Sequence, residues 1–541
     1  MSCSGRELNA SGTAHCRDCE SSKPATKHQY AVARRLSCLD IIMGKLPRCI
    51  NSLYQRITLI ICVTSIVISL SGCATNPVTK QPEFVLMSEE QELSIGREMD
   101  PKIIQEYGLY PDSHLQEYVE TIGKRLANVS DRHDLFFHFK VVDTPLVNAF
   151  ALPGGYVYVT RGLLAYVNSE AELAGVLGHE IGHITARHAV RQYTKAASYN
   201  IATNIASIFF PQINNFGQIA DIAFLAITSG YSREYEREAD RLGVKYAFAA
   251  GYDPQAISAF LQTLSLQDKV EGKKSYHGLF STHPRTEERM NLADAEAAQK
   301  TQPSTTRLTV GRENCLKRIE GLLYGPDPKE GIVKGEIFQH PDLKIQLAFP
   351  KGWNIENKRD VVIAINPSKE LSVQLRLDHL TKKKPLTDIA RSIAAKNGFR
   401  ETSGGITRVN GLEAYVGTYF GKTQNTGYVT ARIGFIQDED IVHIIMGFSR
   451  PEQFSTALPL FNATINSFRK LSVDEAQMIK PSRIALYTVK AGDTLAAICK
   501  EFGRPPEEAK TLALLNGMNP YQMSPHAALK PGTVIKVIKN E

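Results

Sequence analysis

His179-Glu180-Ile181-Gly182-His183 is the stretch whose residue types and spacing dictate a chemistry. At 3.6 residues per helical turn, positions four apart stand one above the other, so His179 and His183 can hold one metal ion between them. Imidazole nitrogens suit zinc. Glu180, beside the first histidine, is placed to take a proton from a water that the ion has acidified, which makes that water a nucleophile.

The helix that must carry them is legible. Ser169-Glu170-Ala171-Glu172 reads as a capping box, with the serine accepting from the N3 amide and Glu172 reaching back to the cap. Leu173, Val176, Leu177, Ile181 and Ile184 then repeat at helical spacing, so the histidines ride on a buried stripe. Two amphipathic helices are expected between Ser88 and about Leu126, and Phe136 to Val142 alternates as a strand. Asn148 to Val159 reads as strand, Pro-Gly turn, strand. Ala196 to Ile227 is apolar but broken by Pro211, Asn214, Asn215 and Gly217, so two helices fit it better than a membrane span. Helices follow over Ser232 to Ala250, from Asp253-Pro254, and over Thr286 to about Lys300.

A third ligand is expected from the Glu234 to Asp240 cluster, because Asp221 is the only acid between His183 and Glu234. His188 is a poor ligand candidate. Ala186 and Ala189 stand where a metzincin pattern would place its glycine and histidine, so His188 is expected to be a polar or capping residue near the helix end.

Taken together, the His179 to His183 motif, Glu236-Arg237-Glu238-Ala239-Asp240 and Ser281-Thr282-His283-Pro284 resemble the HtpX-like and CaaX-prenyl-protease-related zinc metallopeptidases, specifically their periplasmic lipoprotein branch, over about residues 80 to 300. The resemblance implies one zinc ion on His179, His183 and Glu236, Glu180 as general base, and His283 near the active site. It also implies that Asn148-Ala149-Phe150 is an edge strand that pairs with extended substrate. Helix geometry agrees on the third ligand. Glu236 shares its sector with Ala239, Asp240, Gly243 and Ala247, small residues that admit a neighbouring helix, whereas Glu234 and Glu238 fall toward Arg241 and Lys245 and are expected to be surface ion-pairing residues. Asp240 lies one turn on, where it can accept from the free ring nitrogen of a ligand histidine as a supporting catalytic residue. For His283 two roles stay open, an oxyanion donor or a latch on the open zinc position.

The whole chain reads as multidomain: a leader (1–72), a tether (73–87), a mainly α zincin-type metallopeptidase domain with a small sheet (88–300), a linker with one helix from Asn314 to Leu323 (301–335), an α+β domain (336–472) and a terminal βααβ module (484–541). In the α+β domain, strands are expected at Leu343 to Leu347, Val361 to Ile365, Leu371 to Leu377, Tyr428 to Ile436 and Ile441 to Phe448, with helices over Leu386 to Asn397 and Ala457 to Phe468. Phe349-Pro350-Lys351-Gly352-Trp353 and Ser467-Phe468-Arg469 resemble PsbP-like modules, and since the segment shows no catalytic constellation, scaffolding or partner binding is expected of it. Tyr487 to Leu495, Leu515-Asn516 and Leu529-Lys530-Pro531-Gly532 resemble a LysM module, which implies peptidoglycan binding.

Arg48 and Arg56 precede an apolar run, Thr58 to Leu70, of signal-peptide length, and Leu70-Ser71-Gly72-Cys73 resembles a bacterial lipobox with Cys73 lipidated. Ala74 after it matches sorting to the outer membrane. Residues 1–72 hold nine Lys or Arg against four Asp or Glu, which leaves only +2 of the net +7 for the rest and no case for nucleic acid. Of nine cysteines only Cys73, Cys315 and Cys499 lie beyond the leader, too few for a disulfide scaffold. The expectation is a lipid-anchored periplasmic zinc endopeptidase acting on extended or misfolded envelope proteins. Its rivals are a cell-wall peptide hydrolase and a peptidoglycan-bound assembly or quality-control factor with a latent peptidase.

Overall fold

Side-chain caps set where this chain turns helical, and the computed structural model shows most of them. It describes residues 73–203, 230–271, 279, 283, 287–300, 308–379, 385–423 and 427–541. The expected leader and most of the 196 to 227 stretch lie outside the described residues. From Cys73 the chain forms a hairpin, β1 (Cys73–Thr75) against β2 (Pro82–Phe84). Helix α1 (Glu89–Tyr107) opens on a Ser88–Gln91 capping box, and α2 (Ser113–Ala127) on Asp112.

Strands β3 (His138–Val142), β4 (Ala149–Leu152) and β5 (Tyr156–Thr160) form a sheet of order β3-β5-β4, which puts β4 at an edge. A short α3 (Arg161–Tyr166) leads into α4 (Glu170–Thr185), the helix of the two histidines. Ser169 caps it as expected, but Glu172 accepts from the amide of Asn168 rather than from the cap, so only half of the capping box forms. After α4, Arg187 takes φ of +55° and α5 (His188–Thr203) starts at once. A left-handed residue other than glycine costs roughly 1–2 kcal/mol. Here Glu92 holds it, accepting from Arg187 Nε at 2.9 Å and from Arg132 Nη1 at 2.7 Å in the interior.

Helix α6 (Arg233–Ala249) is capped by Ser232 and crosses α4 almost backbone to backbone. A Cβ added at Gly243 would stand 3.0 Å from the amide nitrogen of His179, and one at Gly182 3.1 Å from the carbonyl of Ala239. Only small residues permit this approach, and it brings Glu236 against the two histidines. Helices α7 (Ala256–Glu271) and α8 (Glu287–Lys300) complete the domain.

The linker is not only a wrapped helix. Its helix α9 (Arg312–Ile319) ends before Leu323, and β6 (Leu323–Tyr324) is a strand. Next come β7 (Ile332–Lys334), β8 (Ile337–His340) and β9 (Ile345–Ala348), then β10 (Asn354–Lys358), β11 (Val361–Ile365) and β12 (Ser372–His379). They are followed by α10 (Leu386–Lys396), β13 (Phe399–Val409), β14 (Leu412–Thr423), β15 (Gly427–Asp438), β16 (Ile441–Ser449), α11 (Phe454–Ser467) and β17 (Arg469–Lys470). Seven of these strands make one antiparallel sheet, β10-β11-β12-β16-β15-β14-β13, with apolar clusters centred on Phe461 and on Phe435.

After α12 (Val473–Gln477) the chain closes with β18 (Ser482–Thr488), α13 (Leu495–Glu501), α14 (Ala509–Leu515) and β19 (Val534–Asn540), the expected βααβ order. This module is not a bead on a string. Strand β6 extends its sheet (β19-β18-β6), and one apolar core runs from Leu177 and Tyr118 through Ile319 to Leu512 and Ile538. Lys536 is wholly buried and donates to the carbonyls of Ala165 and Val167, at 2.6 and 2.9 Å, just before α4. Cys315 and Cys499 are buried free thiols.

Candidate metal centre

Four side chains from three places in the sequence meet beneath the α4–α6 crossing. His179 Nε2 lies 3.0 Å from His183 Nε2 and 3.2 Å from His283 Nδ1. Glu236 Oε1 lies 3.0 Å from His283 Nδ1 and 3.5 Å from His183 Nε2, and its Oε2 lies 3.6 Å from His179 Nε2. All four residues are buried, and one ligand atom from each falls within 4.8 Å of the others.

A tetrahedral zinc ion with bonds of 2.0–2.1 Å needs ligand atoms about 3.3 Å apart. The observed edges bracket that value, so the donor set fits one such ion. His283 Nδ1 is the fourth donor of the set.

Proton placement follows from the partners. Asp240 Oδ1 is 2.9 Å from His179 Nδ1, so that nitrogen donates and Nε2 turns a lone pair inward. Burial pushes the Asp240 carboxyl up, but hydrogen bonds from His179 and Arg289 outweigh it and hold the pKa at about 2. Burial likewise pushes Glu236 up, and His283, His179 and Arg289 bring it below the usual carboxylate range. Glu180 is different: its oxygens have no hydrogen-bond partner, and burial raises its pKa despite His283 and His179. Burial pushes His283 down, but the Glu236 and Glu180 carboxylates outweigh it and hold it at about 9.

Three neighbours of the site escaped the sequence reading. Arg289 spans Glu236 Oε2 (2.8 Å) and both oxygens of Asp240 (2.7 and 2.8 Å), fixing the two carboxylates to each other. No motif announces it; its only signal is its place six residues after His283. Tyr231 stacks on His183, with centroids 4.1 Å apart. His188 does not cap the helix: it opens α5, is wholly buried, and its Nδ1 meets His183 Nδ1 at 2.9 Å. Glu238 forms an ion pair as expected, but half-buried and with α5 rather than with Arg241 or Lys245: His188 Nε2 (3.1 Å) and Arg191 Nη1 (2.8 Å) both contact its Oε2. Glu234 is exposed.

Asn148, Ala149 and Phe150 are not gathered around the four ligands. Ala149 is buried opposite Val159, and Phe150 stacks on Tyr158. It is the next three residues, Ala151, Leu152 and Pro153, that line with His183, Ile184 and Tyr231 a cavity of about 10 Å³, room for about one water. Cys73 opens β1, and no helix among the described residues is long and apolar enough to cross a membrane.

Comparison with known proteins places two modules on this framework. Residues 113–297 match the model of Peptidase family M48, and residues 487–537 match the LysM domain. The chain is 32% identical over 253 residues to the beta-barrel assembly-enhancing protease of Yersinia pestis, covering 44% of this chain and 50% of that protein. It is 33% identical over 217 residues to the protein of that name in Escherichia coli, covering 38% and 44%. It is also 31% identical over 221 residues to the mitochondrial metalloendopeptidase OMA1 of Schizosaccharomyces pombe, covering 40% and 63%. The chain thus spans about half the length of the bacterial relatives. Among solved structures, cyanobacterial PsbP from Synechocystis aligns with a TM-score of 0.21 at 13% identity, covering 26% of this chain and 95% of that one.

Proposed function

We propose that this chain, which carries a metalloendopeptidase domain of family M48 and the zinc dependence that goes with it, cleaves extended or misfolded proteins of the bacterial cell envelope. The observation that carries the reading is the buried cluster of four donor side chains with a carboxylate beside it, Glu180, whose oxygens accept no hydrogen bond and whose Oε1 lies 3.5 Å from His283 Nε2. His179, His183 and Glu236 hold the metal. Bound there, zinc supplies Lewis acidity, acidifying a water and polarising the scissile carbonyl.

The protein's own groups do the rest. Glu180 accepts a proton from the attacking water and delivers it to the leaving nitrogen. Asp240 holds His179 in the tautomer that faces the metal. Strand β4, at the edge of its sheet, offers backbone groups to an extended substrate, with Asn148 just before it and Ala149 and Phe150 at its start. Lipidated Cys73 would tether the enzyme to the outer membrane on its periplasmic side, and the LysM module would hold peptidoglycan.

His283 favours a second reading of the resting state. Its Nδ1 fills the corner that substrate needs, so the peptidase is latched until His283 leaves. A latent peptidase of this kind also accommodates a role in assembly or quality control. In the full chain, Glu180→Gln should keep about one zinc and lose proteolysis of an unfolded β-barrel protein by about 10²–10⁴-fold. Zinc retained together with full activity would overturn the assignment. Release of muropeptides from purified sacculi by the wild type would instead identify a cell-wall hydrolase.

A further inference from the structure

Of the two histidines on α4, His179 is supported directly by a carboxylate, Asp240, and His183 is not. The Nε2 atom of His183 faces the cluster, so its Nδ1 points away from it, and the group it meets there is a second imidazole. The turn that makes this possible is the left-handed Arg187, which reverses the chain within two residues and returns His188 to the flank of the ring five positions behind it.

We propose that His188 is a positioning residue for the metal centre, fixing His183 through its Nδ1 and being fixed in turn by Glu238 through its Nε2. This rests on the reading of His183 as a metal ligand. With Nε2 bare for the ion, His183 carries its proton on Nδ1 and donates it across 2.9 Å to His188 Nδ1. His188 is then the Nε2–H tautomer and donates across 3.1 Å to Glu238 Oε2. One proton arrangement satisfies every link. Support by an imidazole relay gives His183 the orientation that Asp240 gives His179, with the negative charge one ring further from the metal.

The packing holds both rings still. Tyr231 stacks on His183 at 4.1 Å and 20°, and Tyr235, one turn later, stacks on His188 at 4.6 Å and 13°. Arg191 lies over the Tyr235 ring at 4.5 Å and pairs with Glu238 at 2.8 Å. Its Nε also pairs with Glu83 of β2 at 2.8 Å, so the relay ends on the hairpin that begins at Cys73. The charged end of the line is therefore tied to two elements, α6 and the hairpin, rather than left to a single side-chain rotamer.

The test is the zinc dissociation constant of the full chain, measured by competition with a chromophoric chelator, beside the unfolding temperature of the metal-free protein. His188→Phe keeps the ring and its stack but removes the acceptor, and should weaken zinc binding by about 10–100-fold with the metal-free unfolding temperature little changed. His188→Asn places an amide oxygen near the lost Nδ1 and should recover most of that loss. Glu238→Ala should weaken binding in the same direction, and it carries the test alone if His188→Phe does not fold. Wild-type zinc affinity in His188→Phe or Glu238→Ala, or an Asn variant no better than Phe, would overturn the relay. His183→Ala is the reference: if it binds zinc normally, the ligand assignment has failed, whereas a defect there with none at His188 fails the relay alone.

Discussion

At the scale of single residues, the centre depends on carboxylates kept ionised in a buried place. Asp240 shows the consequence. Its pKa in the folded chain, about 2, lies below its ordinary 3.8, so its contribution to stability is complete above about pH 4 and is lost as the pH falls through 2. That contribution is on the order of 2 kcal/mol. In the metal-free protein, urea unfolding should show Asp240→Asn losing less stability than wild type between pH 4 and pH 2, and parallel curves would contradict the pairing with His179 and Arg289. The motif residues and Asp240 were legible because helical spacing fixes which side chains share a face. His188, Tyr231 and Arg289 were not, because their roles depend on a left-handed turn and on helix crossings that no local pattern records. Glu238 does ion-pair as its sequence suggested, but the cations on α6 pointed to the wrong partners, which come from α5.

At the scale of elements, capped helices were the easiest to place. Ser169 and Ser232 stand where their helices start, within a residue of expectation. The β13–β14 hairpin was missed because most of β13, a run that includes Ser403-Gly404-Gly405, is exposed on both faces, so it has no alternation to read. Strand β6 was read as the end of a helix because two residues carry no period, and its partner β18 lies some 160 positions away. That pairing has a measurable consequence together with Lys536. A wholly buried amine that satisfies two carbonyls at the entrance to α4 is costly to remove, because Ala165 and Val167 would lose their donor. Lys536→Ala should lower the stability of the peptidase by about 3 kcal/mol, read from chemical denaturation. A variant as stable as wild type would show the module to be merely adjacent.

At the scale of the whole molecule, the modules announced themselves through local patterns, but their union did not. The core shared by the peptidase and the C-terminal module is built from side chains such as Leu316, Leu512 and Ile538, each of which looks like an ordinary buried residue of its own module. The result places the C-terminal module against the start of α4, through Lys536, and the N-terminal hairpin against the first turn of α5, through Glu83 and Arg191. The central claim is that Glu236, brought by α6, completes the ligand set of His179 and His183. Elemental analysis of dialysed full-length protein tests it most directly. Near one zinc per chain is expected in wild type and in Glu234→Ala, with loss of most of the zinc in Glu236→Ala; full zinc retention in Glu236→Ala would contradict the account.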